Sequence, residues 1–470
     1  MLALALALAL ALAVALALAV PCTAFAWSNG AQNGNGFGTH DWVLFHSIHI
    51  AQREGASWCD KKIALPHTDD PDMIFNDRTD HNYDRWNGEH WGNAHLRVAH
   101  WYALAVKYLR KGDTRKASYA FGIMSHYYAD VCEPLHTEES RLENAGNLAL
   151  YHGPYEHAVD SWTHRASQNI KWMHSDGYQY VPNAKAFTVQ AATHAHTYYD
   201  SLLGEIVRHG MDKKVRAITG KQLNYAVNGL ADLIVSAQED AARRGVSPRV
   251  TADVGVTTDG SAFYVVGRTR IEKLDASWHS IVATENAADG ISGLTDPVLG
   301  GPASLNGRLY VPVANSDETS AQVLVLDAGT LTRIDAFPTP EVAHPTCAVA
   351  LPTVGPHGTL YVAAANNSTR FYRYDLSSHA YMGPTKFKSG LAGRITGAAL
   401  RNGKLFVATN LGASRGNVYR VDGHGKVSIV YTTSIAGQDA GIAFKKGDLY
   451  WLVSDGADSG HVYHLRLLAK

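Results

Sequence analysis

The sequence predicts a chain in two parts, an all-α half followed by an all-β half built as a five- or six-bladed β-propeller. Three observations carry this reading. Residues 40–244 contain helix-forming stretches of helical hydrophobic period, and after about Val250 the pattern changes to short strands rich in Val, Tyr and Thr. Through that second half a glycine-headed unit recurs at a nearly constant interval. A length of 470 residues suits two domains, or three.

Residues 2–20 are almost pure Leu, Ala and Val, close to the ~20 apolar residues that span a bilayer. Pro21 interrupts the run, and Ala24-Phe25-Ala26 has the A-x-A form of a signal-peptide cleavage site. The reading is a signal peptide over residues 1–26 and a secreted product, extracellular or periplasmic, with no stable membrane span once the segment is removed. A retained anchor is the alternative, because the only charge before the run is the amine of Met1. Cys22 follows Pro21, which suits a lipoprotein signal poorly. Cleavage after Ala26 makes Trp27 the first residue and leaves Cys59, Cys132 and Cys347. Three cysteines form at most one disulfide and are too few for a disulfide framework or a thiolate metal site. A formal net charge of −1 gives no whole-chain bias toward a polyanion.

The expected helical domain is 27–246. Its clearest helices are Ala94–Leu109, Lys116–Tyr128, Pro154–Ser175, Val189–His209 and Leu223–Arg244, the last closed by Gly245 and Pro248. The repeat domain is 250–470. Gly260, Gly307, Gly358, Gly403 and Gly447 each precede an apolar strand and lie 47, 51, 45 and 44 residues apart. In four units a second strand ends in Asp275, Asp327, Asp375 or Asp422. A period in the mid-forties with several strands per repeat is a propeller signature; a β-sandwich with coincidental spacing is the alternative.

Of the 24 histidines, 17 precede residue 245. In the run His126-Tyr-Tyr-Ala-Asp130-Val-Cys-Glu-Pro134-Leu-His136, the first His and the Asp are four apart on a predicted helix and project from one face. Pro134 ends that helix and presents His136 from the following turn. His152 and Glu156 form a second i, i+4 pair, and Gly153-Pro154 places His152 at a helix start. One such pair is usually a surface hydrogen bond. Two pairs around a Pro-x-His indicate a metal site, and nitrogen and oxygen donors without cysteine suit Zn²⁺ better than Ca²⁺. His46, His49, His90, His95, His100 and His157 lack such a pattern and read as structural.

These residues resemble the zinc-dependent phospholipase C and S1/P1 nuclease superfamily, over residues 27 to about 244. The resemblance lies in H-x3-D with a following P-x-H, then H-x3-E, together with Trp27 directly after Ala-Phe-Ala and Gly38-Thr39-His40. His81 lies in an aromatic-rich segment similar to the family's, and Pro71-Asp72 matches its Pro-Asp element, with Asp69 and Asp70 as alternatives. The resemblance implies an all-α fold with three zinc ions. One would be held by the Trp27 amine and carbonyl, His40 and Asp130; one by Asp72, His81, His126 and a bridging Asp130; one by His136, His152 and Glu156, the remaining positions going to water or substrate phosphate. It also implies that Asp72 orients the attacking water and accepts its proton.

Glutamate at position 156 resembles the phospholipases, where the nucleases usually carry Asp, and no basic cluster with interleaved aromatics follows a nucleic-acid backbone. The expected substrate is therefore a glycerophospholipid at a membrane surface, cleaved to diacylglycerol and a phosphorylated head group. An S1/P1-type nuclease, or a zinc-stabilised binding protein acting through the propeller, are the alternatives. Tyr127, Tyr128, Tyr151, Tyr155 and Trp86 are pocket candidates with an ordinary core role as the more frequent case. The repeats resemble no family and read as a targeting or adhesion module whose ligand the sequence does not name.

Overall fold

The computed structural model describes residues 27, 36–75, 80–85, 92–144, 146–317, 319–342, 345–352, 358–364, 369–412, 415–435, 438–456 and 458–468. The signal-peptide reading, Trp86 and His90 lie outside them. The chain divides into two compact units, one of residues up to Ala51 with Trp58–Ile234 and one of Gln52–Ser57 with Val235–Lys470.

The longer helices are Thr39–Arg53, Ala94–Arg110, Thr114–Val131, Gly153–Thr163, Ala184–His196, Tyr199–His209 and Lys213–Ala242, the first and last running past the bounds of the first unit. Three sequence expectations change. The helix expected to reach Ser175 stops at Thr163, because Asn169, in a left-handed conformation, donates its side-chain amide to the Trp162 carbonyl. The stretch Val189–His209 is two helices, broken where Thr197 and Tyr198 make short bonds back to His194 and Ala195. The last helix starts ten residues earlier than Leu223, at Lys213, where Asp212 accepts the amides of Lys214 and Val215.

The second unit is a five-bladed propeller of antiparallel sheets. Four blades are consecutive in sequence: Gly255–Thr284, Pro297–Pro338, Pro345–Lys386 and Arg394–Thr433. The fifth joins Gln438–Lys445, Asp448–Gly456 and Ser459–Leu465 to Arg243–Val246, which pairs with the final strand and closes the ring. Residues 243–246, read from sequence as a helix end and turn, are thus a strand whose partner lies more than two hundred positions away.

The repeated motifs have local causes. Asn306-Gly307, Asn402-Gly403 and Lys446-Gly447 hold consecutive positive φ angles, the hairpin geometry that glycine accommodates. The repeated aspartates are turn caps: one carboxylate oxygen of Asp275, Asp327, Asp375 and Asp422 accepts two following backbone amides. A further repeat position escaped the sequence reading. Gly255, Gly301, Cys347, Gly397 and Gly441 recur through the five repeats, and adjacent blades meet there. A methyl group on Gly255 would lie 2.4 Å from the Gly301 Cα, and one on Gly397 2.7 Å from the Gly441 Cα.

Candidate metal centre

The helix Thr114–Val131 carries His126 and Asp130, and its placement is set by close backbone packing. A methyl group added to Gly122 would sit 2.2 Å from the Ala64 carbonyl oxygen, so only glycine allows this approach. Asp113 caps the helix at the Lys116 amide, and Ser118 bonds to the Trp58 carbonyl. One turn from its end, His126 has its Nδ1 2.6 Å from the Thr68 carbonyl oxygen. A carbonyl only accepts, so Nδ1 carries the proton and Nε2 presents a lone pair inward.

That lone pair meets a convergent set of donors. Nε2 of His126 lies 3.0 Å from Nδ1 of His81, 3.3 Å from Oδ2 of Asp130 and 3.6 Å from Oδ1 of Asp72. His81 Nδ1 is 2.9 Å from Asp130 Oδ2 and 3.6 Å from Asp72 Oδ1. On the other side of Asp130, Oδ1 faces His40 Nε2 at 3.4 Å, and the His40 ring stacks on that of His126. His40, His126 and Asp130 form one potential metal-binding group, and Asp72, His81 and His126 another. Of the three aspartates left open by the sequence, Asp72 reaches the cluster, while Asp70 pairs with His67 at 2.8 Å. Asp72 is also the most exposed member of these groups, half-buried where the others are buried.

The segment bearing His81 is fixed at both ends. Arg97 pairs with Asp80, the Ser140 amide and hydroxyl bond to Asp84, and the Arg85 amide bonds to the Thr137 carbonyl. Gly92, at φ +96°, lets the chain pass against Asn82, whose carbonyl oxygen would lie 2.1 Å from an added methyl group.

A third group consists of His136, His152, Glu156 and Glu133. His136 stands in a short 3₁₀ turn, Pro134–Thr137. Its Nδ1 is 2.5 Å from the Asn82 side-chain oxygen and 3.2 Å from Glu139, which again directs Nε2 inward. His152 ends a π-helical turn, Leu148–His152, directly before the Gly153–Thr163 helix that presents Glu156. Sequence reasoning had not selected Glu133. The available signal was its place three residues before His136 and directly before a proline, which holds it in extended backbone at φ −83°, ψ 125°.

Charge and burial in these groups fit a cation. Asp130 and His126 are fully buried. Burial disfavours the Asp130 carboxylate, yet the His126, His81 and His40 imidazoles overcome it and hold the group well below the usual carboxylate range. For His152 burial works against the imidazolium, but Glu156 and Glu133 raise it to about 10. His136 is raised well above its ordinary value, its burial outweighed by Glu133, Glu139 and Glu156. Among the described residues, both oxygens of Glu133, Nε2 of His136 and both ring nitrogens of His152 are buried without a hydrogen bond. Groups so arranged compete for protons in the place a divalent ion would take. The donor set, imidazole and carboxylate without thiolate, suits zinc.

Trp27 is fully buried and interacts with Tyr155, the residue before Glu156. Tyr127, Tyr128 and Tyr155 are fully buried core residues. His46 bonds to the Ala166 carbonyl, and His46, His49, His95, His100 and His157 join none of the potential metal groups among the described residues.

Comparison with curated proteins returns no match. Among solved structures, the alpha toxin of Clostridium absonum is 14% identical, covering 65% of this chain and 97% of its own, with a TM-score of 0.33. A luciferin-regenerating enzyme is 15% identical, covering 48% of this chain and 96% of its own, with a TM-score of 0.31. At such scores the architecture stands on the chain's own helices and strand pairing. The family model for zinc dependent phospholipase C matches residues 59–223, a span that contains Asp72, His81, His126, Asp130, His136, His152 and Glu156. Within the helical unit, residues 59–223 thus match the zinc dependent phospholipase C family.

Proposed function

We propose that the protein is a secreted phospholipase C that cleaves glycerophospholipids to diacylglycerol and a phosphorylated head group, with three zinc ions held by Trp27, His40, Asp72, His81, His126, Asp130, His136, His152 and Glu156. The observation that carries the reading is the convergence of buried imidazole and carboxylate atoms into adjoining groups whose members, His40 apart, lie within the matched span. Zinc bound there supplies positive charge against the phosphate and lowers the pKa of water.

The chain's own part follows from the geometry. Burial raises the Asp72 carboxyl, but His126 and His81 overcome it and keep the group ionised at neutral pH. Being the more accessible member, Asp72 orients a water molecule for in-line attack on phosphorus and takes its proton. The water oxygen bonds to phosphorus, the bond from phosphorus to the glycerol oxygen breaks, and a proton returned to that oxygen completes diacylglycerol. Thr68 and Asn82 hold the imidazoles of His126 and His136 so that their second nitrogens stay available.

Support for a lipid substrate comes from the surface beside these groups. Met73 and Ile74, directly after Asp72, are 68% and 67% exposed, and Leu150, two residues before His152, is 60% exposed. Apolar side chains displayed beside a site suit contact with acyl chains. Among the described residues no helix is long and apolar enough to cross a membrane. The test is release of phosphocholine from phosphatidylcholine vesicles by protein beginning at Trp27, with and without a zinc chelator. Chelator-sensitive release is expected. Zinc-loaded protein that releases none, yet degrades single-stranded nucleic acid, refutes the lipid reading.

A further inference from the structure

We propose that Glu133 closes the third zinc site as a fourth protein ligand, so that phosphate is bound only by the ions gathered around Asp130. The proposal rests on the zinc reading above and departs from it at one point, since three ligands plus water or phosphate were expected there.

The distances support four donors around one ion. Nε2 of His152 lies 2.9 Å from Glu156 Oε1 and 3.2 Å from Glu133 Oε1. Nε2 of His136 lies 3.6 Å from Glu156 Oε1 and 3.8 Å from Glu133 Oε2. Zinc bonds of about 2.1 Å in a regular tetrahedron separate neighbouring donors by about 3.4 Å, the middle of this range. Glu133 is fully buried, and its oxygens face the His152 and His136 imidazoles without a well-aligned hydrogen bond among the described residues. Substrate therefore has no access to it as a proton acceptor. A buried carboxylate needs a cation beside it, a place held by the His152 imidazolium without metal and by zinc when the ion displaces that proton.

Charge and donor supply lead to the same assignment. Two carboxylates and two neutral imidazoles cancel the double charge of one zinc ion and fill its tetrahedron, and a site closed by protein ligands leaves no place for substrate. Around Asp130, five side chains (His40, Asp72, His81, His126 and Asp130) serve two ions. Their two carboxylates leave net positive charge and incomplete coordination, which is where a phosphate binds.

The test uses the full mature chain and zinc retention as its readout. Zinc is counted by mass spectrometry during dialysis against graded chelator, for wild type and Glu133→Gln, with and without inorganic phosphate. In E133Q the ion of this site should leave at least 10–100-fold more readily, the loss typical even for outer partners of a metal, while the ions around Asp130 stay and show that the variant is folded. Phosphate should slow loss of the Asp130 ions in wild type, leave the third ion unaffected, and slow loss of the third ion only in E133Q, where a position has opened. Equal retention by wild type and E133Q overturns the closed site alone, as does phosphate protection of the third ion in wild type. Wild type that retains no zinc overturns the metal reading beneath it.

Discussion

Asp130→Asn gives the sharpest test of how the metal groups are connected. Its two oxygens face different partners: Oδ1 faces His40 at 3.4 Å, and Oδ2 faces His81 at 2.9 Å and His126 at 3.3 Å. Asparagine keeps the shape, removes the charge and turns an amide nitrogen toward one set of imidazoles. A unit charge about 4 Å from another, under an effective dielectric near 20, is worth about 4 kcal/mol. A divalent ion feels more, so each of the two ions around Asp130 should lose at least about three decades of affinity. The third group shares no ligand with Asp130 and should keep its ion. Zinc counted after dialysis against a mild chelator should therefore fall by two equivalents and stop, and head-group release should fall by at least about a thousandfold. Far-ultraviolet circular dichroism checks that the fold survives. Retention of all zinc refutes the shared ligand, and loss of the third ion from folded protein refutes the independence of the Glu133 group.

Other expectations follow from single features of the structure. Met73→Ser with Ile74→Ser should reduce phosphocholine release from vesicles several-fold and leave hydrolysis of a small soluble phosphodiester unchanged; equal loss on both substrates counts against a lipid-facing role. Gly122→Ala sets a gain in helix propensity of about 1 kcal/mol against a backbone clash at 2.2 Å. Overpacking costs of about 1–3 kcal/mol should win, so thermal melting should show a less stable helical unit with weaker zinc retention. Cys59, Cys132 and Cys347 are buried free thiols; burial pushes all three up, Cys347 to about 12. A thiol reagent at pH 8 should label none of them natively and all three in denaturant. Protein carrying residues before Trp27 should hold one zinc equivalent fewer than protein beginning there, because the Trp27 amine is then an amide.

What was legible in the sequence was whatever a short-range period expresses. Four-residue spacing on a helix put His126 with Asp130 and His152 with Glu156, and a proline set His136 on the turn between them. The glycine and aspartate repeats marked hairpins and turn caps, because those conformations depend on a few consecutive residues. Glu133 was visible but had no period to single it out: its role depends on two imidazoles from different turns meeting its carboxylate.

The amino-acid sequence by itself determined the helical and repeating halves and pointed to most of the imidazoles and carboxylates that converge, since these follow from local spacing and side-chain chemistry. Only the tertiary structure brought Asp72 into a potential metal-binding group, placed Glu133 in another, fixed five blades, and turned Arg243–Val246 into the strand that closes the ring. Each of those outcomes depends on contacts between residues far apart in the chain, where donor distances, packing and strand pairing decide and local propensity does not.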